Sequence, residues 1–158
     1  MKKIYWQKLI IALLLPQLAG LLASFFTSSS VRTWYFDLNK PFFNPPDWIF
    51  APVWISLYLM MGLAFYLVWQ GKSKKKFLKK AKIIFLLQLF FNFLWSIIFF
   101  GLQLPGLAFL EIILLWFLIV LTIRRFFLLN KSASYLLIPY LLWVSFASIL
   151  NLAIVLLN

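Results

Sequence analysis

The residues best suited to chemistry are amide and indole side chains that recur at helical spacing inside long apolar runs. The clearest stripes are Gln88, Asn92 and Ser96, and Trp143, Ala147 and Asn151. Residues four apart lie on one face of a helix. Amides form hydrogen bonds and indoles offer flat apolar surface, so the stripes are typical of an apolar pocket with a few orienting polar groups.

Plain helix packing is the alternative interpretation of these stripes, because small residues let helix backbones approach and amides hydrogen-bond between helices. Two further apolar runs carry similar faces: Trp54, Tyr58 and Met61 on one, and Gln17, Gly20 and Ser24 on the other. The joint occurrence of amides and indoles on several runs favours a shared cavity over packing alone.

The missing residue types exclude most conventional catalytic chemistry. The chain has no Cys and no His, which excludes disulfides, thiolate metal sites and a Ser-His-Asp triad. Glu111 is the one acidic residue well inside an apolar run, where it is either a carboxylate at the membrane interface or part of a proton relay. We therefore expect no metal site and no required cofactor.

The composition identifies the elements that must position these residues. Of 158 residues, 65% are hydrophobic and 11% are charged, which is typical of a membrane protein. Runs bounded by charge, Pro or Gly predict an all-α integral membrane protein, a single domain over 1–158 with a bundle of five transmembrane helices. The predicted spans are 9–27, 48–70, 83–101, 106–123 and 135–157, with a structured outer loop over 28–47 in which Asn44 caps the second helix. A cleaved signal peptide is the alternative for the first run.

The net charge of +12 is distributed unevenly along the chain. With five spans, thirteen of the fifteen basic residues fall on the side of the N-terminus, seven of them lysines in the segment 71–82. This bias predicts a multi-pass protein of the cytoplasmic (inner) membrane with a cytoplasmic N-terminus. Nucleic acid is the alternative partner for a basic segment, but no groove-reading motif lies beside it, so none is expected.

Four blocks of the sequence together resemble the tryptophan-rich sensory protein family, whose mitochondrial members are called translocator protein or peripheral benzodiazepine receptor. The blocks are residues 34–69, 89–101, 105–116 and 136–151, and they include the motifs WYFDLNKPFFNPPDW, FNFLWS and PYLLWVSFA. The resemblance implies a five-helix homodimer that binds tetrapyrroles such as protoporphyrin IX and haem in a pocket between the helices, under a lid formed by the first outer loop. It implies a receptor with a role in the transport or regulation of these ligands.

The resemblance also implies a set of ligand-binding residues. By motif position these are Trp34, Tyr35, Trp54, Asn92, Trp95, Trp143 and Ala147, and helical geometry adds Gln88 and Tyr58. Porphyrin or haem is expected as the ligand of this pocket.

Two other functions are compatible with the same residues. Some bacterial relatives imply an enzyme that degrades protoporphyrin IX oxidatively under light, in which case Trp34 and Trp143 are the expected catalytic indoles. A structural, lipid-facing protein without a ligand is the other alternative. Cholesterol is not favoured as a partner, because Asn151 is followed by LAIVLLN, which lacks the aromatic and basic residues of the animal cholesterol motif.

Overall fold

The computed structural model describes residues 4–158, and every regular element in that range is helical. Five helical spans are long and apolar enough to cross a membrane: Trp6–Val31, Asp47–Trp69, Lys75–Gly101, Pro105–Phe127 and Lys131–Leu157. The predicted all-α bundle of five transmembrane helices is confirmed. Lys2 and Lys3, which contribute to the predicted charge bias, lie outside the described residues.

The spans contain both long helices and short turns of other helical types. In chain order the elements are α1 (Trp6–Val31), α2 (Trp34–Asp37), a 3₁₀ turn (Asp47–Ile49), α3 (Phe50–Trp69), α4 (Lys75–Ser96), a π-helical turn (Ile97–Gly101), α5 (Pro105–Phe127), α6 (Lys131–Tyr135) and α7 (Ile138–Leu157). Helix α4 begins eight residues before the expected start at 83, because lysine is a good helix former and its long stem lets a basic segment stay helical at a membrane boundary.

The long helices form a ring in the order α1, α3, α7, α5 and α4, with α4 closing against α1. Hydrogen bonds near both of its ends fix α1 in this ring. The Tyr5 N–H donates to the Tyr66 hydroxyl at 3.2 Å, and the Ser30 hydroxyl donates to the Phe100 carbonyl at 2.6 Å. We call the end of the bundle with residues 70–74 and 128–130 the basic end, and the end with residues 28–47 and 102–104 the loop end.

Aromatic stacking fills the half of the bundle nearer the basic end. The ring of Phe85 is nearly parallel to those of Phe65 and Phe126, with centroids 4.5 and 5.8 Å away. Helices α1 and α3 also touch closely here, since a Cβ on Gly62 would lie only 2.7 Å from the Ala12 carbonyl oxygen. This half therefore has a closely packed core, and a side chain at Gly62 could be accommodated only by moving the α1 backbone.

Side-chain hydrogen bonds hold the outer loop in place. The Asn39 N–H donates to the Asn158 Oδ1 at 2.9 Å, and the Asn158 Nδ2 donates back to the Asn39 carbonyl at 3.0 Å. The expected cap by Asn44 is wrong, because the span begins at Asp47 after Pro46 and no side chain caps it. Instead, the Asn44 Oδ1 accepts a hydrogen bond from the Tyr35 hydroxyl at 2.8 Å, which holds α2 against the loop.

Candidate functional site

A cavity of about 890 Å³ lies between the helices in the half of the bundle nearer the loop end. All five long helices contribute to its walls, and Tyr35 of the outer loop lies at its edge. Most of its lining side chains are apolar, with a small number of amides and hydroxyls among them. Its size and composition fall within the range of pockets that bind small organic molecules and cofactors.

A chain of hydrogen bonds between buried side chains supports one wall of the cavity. The Tyr58 hydroxyl donates to the Asn92 Oδ1 at 2.8 Å, and the Asn92 Nδ2 donates to the Tyr140 hydroxyl at 3.1 Å. The Tyr140 hydroxyl in turn donates to the Gln88 Oε1 at 3.0 Å. Because these bonds connect α3, α4 and α7, the cavity-lining groups Tyr58 and Asn92 are fixed before any ligand binds.

A second set of polar contacts fixes Trp95. Its indole Nε1 donates to the Asn151 Oδ1 at 3.2 Å, and the Asn151 Nδ2 donates to the Pro105 carbonyl at 2.8 Å. The Trp95 ring stacks on Phe99 with centroids 4.9 Å apart. The amide of Asn151 therefore joins α4, α5 and α7 and sets the orientation of an aromatic wall.

Helices α3 and α7 supply two further indoles to the cavity. The Trp54 ring stacks on Tyr58 at 5.4 Å between centroids, and the Trp143 ring packs edge-on against Phe50 at 6.0 Å. Both indoles are half-buried and belong to the cavity lining. Rings held in this way offer flat apolar surface to a flat apolar ligand.

Helix α1 contributes small and polar side chains to the cavity wall. Its contribution includes the small residues Gly20, Ser24 and Ser28 and the amide Gln17, whose Nε2 donates to the Ile55 carbonyl at 3.1 Å. A side chain on Gly20 would overlap the ring of Tyr58, so glycine is required for that ring to fit against α1.

Charged and ionisable groups lie at the mouth of the cavity, at the loop end. Arg32 and Asp47 are both exposed and both belong to the lining. Burial and the nearby Asp47 carboxylate raise the pKa of Tyr35 to about 12, against a smaller lowering by its hydrogen bond to Asn44. Tyr35 is therefore a neutral phenol at physiological pH. The Lys40 ammonium lies 4.8 Å from the centroid of the Tyr35 ring.

The sequence has close relatives among known proteins. A profile of the TspO/MBR family matches residues 12–157. The tryptophan-rich protein TspO of Archaeoglobus fulgidus is 46% identical over 151 residues, which cover 96% of this chain and 97% of the relative. The chain belongs to the TspO/MBR family. The resemblance seen in the sequence motifs is thereby confirmed.

Other TspO/MBR relatives carry names that refer to sensing and translocation. The tryptophan-rich sensory protein of Cereibacter sphaeroides is 38% identical over 125 residues, covering 79% of this chain and 77% of the relative. The translocator protein of Bos taurus is 36% identical over 141 residues, covering 87% of this chain and 82% of the relative.

The structure of this TspO/MBR chain brings seven of the nine predicted ligand-binding residues to the cavity: Tyr35, Trp54, Tyr58, Asn92, Trp95, Trp143 and Ala147. The other two lie outside the lining. Gln88 is buried and accepts a hydrogen bond from the Tyr140 hydroxyl. It is therefore connected to the cavity-lining Asn92 only through the hydrogen-bond chain. Trp34 is half-buried and packs edge-on against Phe99, a lining residue, with ring centroids 5.7 Å apart.

The predicted stripe of Gln17, Gly20 and Ser24 lines the cavity, but sequence reasoning missed the rest of the α1 wall. The apolar lining residues of α1 are Leu14, Leu18, Leu21, Ala23 and Val31. Their pattern carries little signal, because α1 is apolar on all sides and faces lipid as well as the cavity. Besides that stripe, the recurrence of small residues at 20, 23–24 and 27–28 could have indicated this face.

Two buried polar groups lack a partner within residues 4–158. Neither carboxyl oxygen of Glu111 has a hydrogen-bond partner there, and the same is true of the Gln88 Nε2. Glu111 is on the first half of α5 and is not part of the cavity lining. A buried carboxyl without a donor costs free energy, so Glu111 is the least satisfied side chain in the described part of the bundle.

Proposed function

We propose that this protein is a membrane receptor of the sensory type that binds a tetrapyrrole, such as protoporphyrin IX or haem, in the cavity between its helices. The observation that carries the proposal is the lining of the 890 Å³ cavity, in which Trp54, Trp95 and Trp143 present indoles from three different helices beside the fixed amide of Asn92. A wide planar ligand suits several aromatic walls, and the amide sets its orientation.

The expected affinity depends on the apolar area that such a ligand buries. At roughly 25 cal/mol per Å², burial of several hundred Å² stabilises the complex by about 10 kcal/mol before ordering costs, which reduce it to micromolar or tighter binding. Arg32 at the mouth supplies a guanidinium for one propionate of the porphyrin. Asp47 also lines the cavity, and its carboxylate disfavours a propionate close to it.

Strong ligation of haem iron is not part of this proposal. The lining formed by residues 4–158 contains no His, Cys or Met side chain. Its two phenols are Tyr35, which is neutral at physiological pH, and Tyr58, whose hydroxyl donates to Asn92. The usual axial ligands are therefore missing from these described cavity walls. Binding depends on the macrocycle, and no cofactor is required for it.

The test is a titration of the detergent-solubilised protein with protoporphyrin IX, followed by quenching of tryptophan fluorescence. Asn92→Leu and Trp143→Ala should each weaken binding by about tenfold, since each removes a group from the cavity wall. Trp116→Ala is the matched control, because Trp116 contacts Ser145 outside the lining. Wild-type affinity in both cavity variants would show that the ligand binds elsewhere.

Light-dependent oxidative degradation of protoporphyrin IX is the second candidate function. The position of Trp143 in the cavity lining favours it, since an indole in contact with an excited porphyrin can exchange an electron with it. Dissolved dioxygen would be the oxidant that the degradation consumes. Purified protein with bound protoporphyrin should then give a new absorbing product on illumination. We expect Trp143→Phe to abolish the product and Trp34→Phe to reduce it less, because Phe99 lies between Trp34 and the cavity. Bleaching equal to that with an unrelated membrane protein would contradict enzymatic activity.

The proposal includes an orientation in the cytoplasmic membrane with the N-terminus and the basic end in the cytoplasm. The charge bias between the two ends supports it. Because the chain has no cysteine, single substitutions give a clean test. In whole cells, a membrane-impermeant thiol reagent should label Lys40→Cys and spare Lys72→Cys; the reverse pattern would overturn the orientation.

We also propose that the protein forms a homodimer and has a role in tetrapyrrole transport or regulation. Many large apolar side chains face outward along the spans, which leaves the bundle free to pair with a second copy within the membrane. Cross-linking of the protein in native membranes measures the assembly. We expect a dimer band; a monomer at all cross-linker concentrations would remove this part of the proposal without affecting the cavity.

A further inference from the structure

A second, smaller cleft of about 300 Å³ lies at the basic end, far along the bundle from the aromatic cavity. Its lining joins the start of α4 to the end of α5. The residues that line it are Ser73, Lys74, Phe77, Lys80, Arg125, Leu128 and Leu129. Three cations and three apolar side chains therefore share one small concave surface.

The three cations of this cleft have no carboxylate nearby. The whole chain has three acidic residues: Asp37 and Asp47 belong to the loop end, and Glu111 is on the half of α5 closer to that end. Lys74, Lys80 and Arg125 therefore repel one another without an internal counter-ion. An anion held between them would relieve that repulsion and gain charge-assisted hydrogen bonds.

The apolar side chains indicate what carries the anion. Phe77 and Leu128 are well exposed, with 53% and 75% of their surface accessible, and they lie beside the cations in the cleft. They sit at the end of a membrane-spanning bundle, where headgroups give way to acyl chains. A free phosphate would satisfy the cations and leave these side chains in water, whereas a phospholipid would cover both.

We propose that this cleft binds the phosphate-bearing headgroup of an anionic phospholipid in the leaflet at the basic end. The planar guanidinium of Arg125 offers a bidentate contact to phosphate oxygens, and Lys74 and Lys80 add point charges from α4. The glycerol backbone and the first acyl carbons lie against Phe77, Leu128 and Leu129. The bound lipid joins α4 to α5 at an end that has no ion pair within residues 4–158.

The test compares two triple variants of equal charge. Lys74→Gln/Lys80→Gln/Arg125→Gln removes the cations of the cleft, and Lys72→Gln/Lys75→Gln/Lys76→Gln removes three exposed lysines that do not line it. Native mass spectrometry of the detergent-solubilised protein measures bound phosphatidylglycerol, with phosphatidylcholine as the zwitterionic reference of zero net charge. We expect about a tenfold loss of phosphatidylglycerol binding in the first variant and less than about twofold in the second. Equal losses in both would overturn the proposal in favour of a diffuse surface charge.

Two further arms separate a lipid from a soluble phosphate. Phe77→Ser keeps all three cations and should still weaken phosphatidylglycerol binding severalfold, because it removes the apolar wall of the cleft. Glycerol 1-phosphate carries the headgroup chemistry without acyl chains and should not displace the lipid at equal concentration. Displacement by glycerol 1-phosphate, or full lipid binding by Phe77→Ser, would contradict a phospholipid site.

Discussion

The two halves of the bundle have similar helices and similar aromatic side chains, but one is solid and the other is hollow. Near the basic end, Phe65, Phe85 and Phe126 stack on one another across three helices. Near the loop end, Trp95 and Tyr58 are instead bonded to amides and stand around the edge of a cavity. Stacked rings thus fill one half of the bundle, whereas in the other half hydrogen bonds to amides hold Tyr58 and Trp95 in the cavity wall.

The largest expected difference between the halves comes from two glycines. Gly62→Ala should destabilise the protein by about 3 kcal/mol, because the new Cβ meets backbone atoms of α1 that cannot move away. Gly20→Ala meets only the side chain of Tyr58, which would have to turn into the cavity and lose its hydrogen bond to Asn92, so we expect a smaller cost of about 2 kcal/mol. Denaturant unfolding in detergent measures both. Equal costs would show that the cavity side is as tightly packed as the other half.

The next prediction concerns the loop that closes the hollow half. The pKa of Tyr35 is about 12 when the loop is docked and about 10 when it is free. Below pH 10 the phenol is neutral in both states, and the docked loop keeps its full stability. Between pH 10 and 12 the phenol ionises in the free loop but not in the docked loop, so the free energy of docking weakens by about 1.4 kcal/mol per pH unit. Cleavage between residues 33 and 45 by an alkali-stable protease should rise over this range relative to pH 9. Tyr35→Phe should remove the pH dependence, and a dependence that persists in it would assign the effect to another group.

A smaller effect separates an indole of the cavity from one outside it. Trp95→Phe and Trp116→Phe each remove one indole hydrogen bond, to Asn151 and to Ser145, and should each cost about 1 kcal/mol of stability. Trp95→Phe alone should also change protoporphyrin affinity, since Trp95 lines the cavity. A similar change in affinity for Trp116→Phe would mean that the ligand extends outside the hollow half.

The smallest expected effect is the difference between haem and iron-free protoporphyrin. Because the described cavity walls offer no strong axial ligand, the two should bind within about threefold of each other. Paired fluorescence and absorbance titrations measure both affinities. A large preference for haem would require an iron ligand that the hollow half does not supply in this arrangement.

The sequence was sufficient for the five spans but not for the details that separate the two halves. Apolar runs of about 20 residues give spans directly, because the hydrocarbon thickness sets their length. Helical spacing alone placed Gln88 with Asn92, yet the structure puts Tyr140 between Gln88 and the cavity. Spacing describes a face of one helix, whereas burial depends on which neighbour fills the space in front of it.

Local rules also failed where the backbone leaves the regular α-helix. Asn44 and Pro45 match a helix-start pattern, but a hydrogen bond from Tyr35, nine residues earlier, occupies the Asn44 side chain. The Trp34 position was inferred from its motif alone, and the turn between α1 and α2 directs its ring toward Phe99. These placements depend on contacts between separate segments, which a single sequence does not reveal.

The π-helical turn at Ile97–Gly101 makes the cavity sensitive to the number of residues in this stretch. A π-helical turn holds about one residue more than an α-helical turn, so removal of one residue here would return the stretch to α-helical hydrogen bonding and move the remaining residues within the turn. Phe99 and Phe100 would leave their present directions, and Ser30 would lose the carbonyl that it now bonds. Deletion of one residue in this stretch is therefore expected to change the shape of the cavity wall. Deletion of one residue in an exposed loop would shorten the loop without changing the cavity.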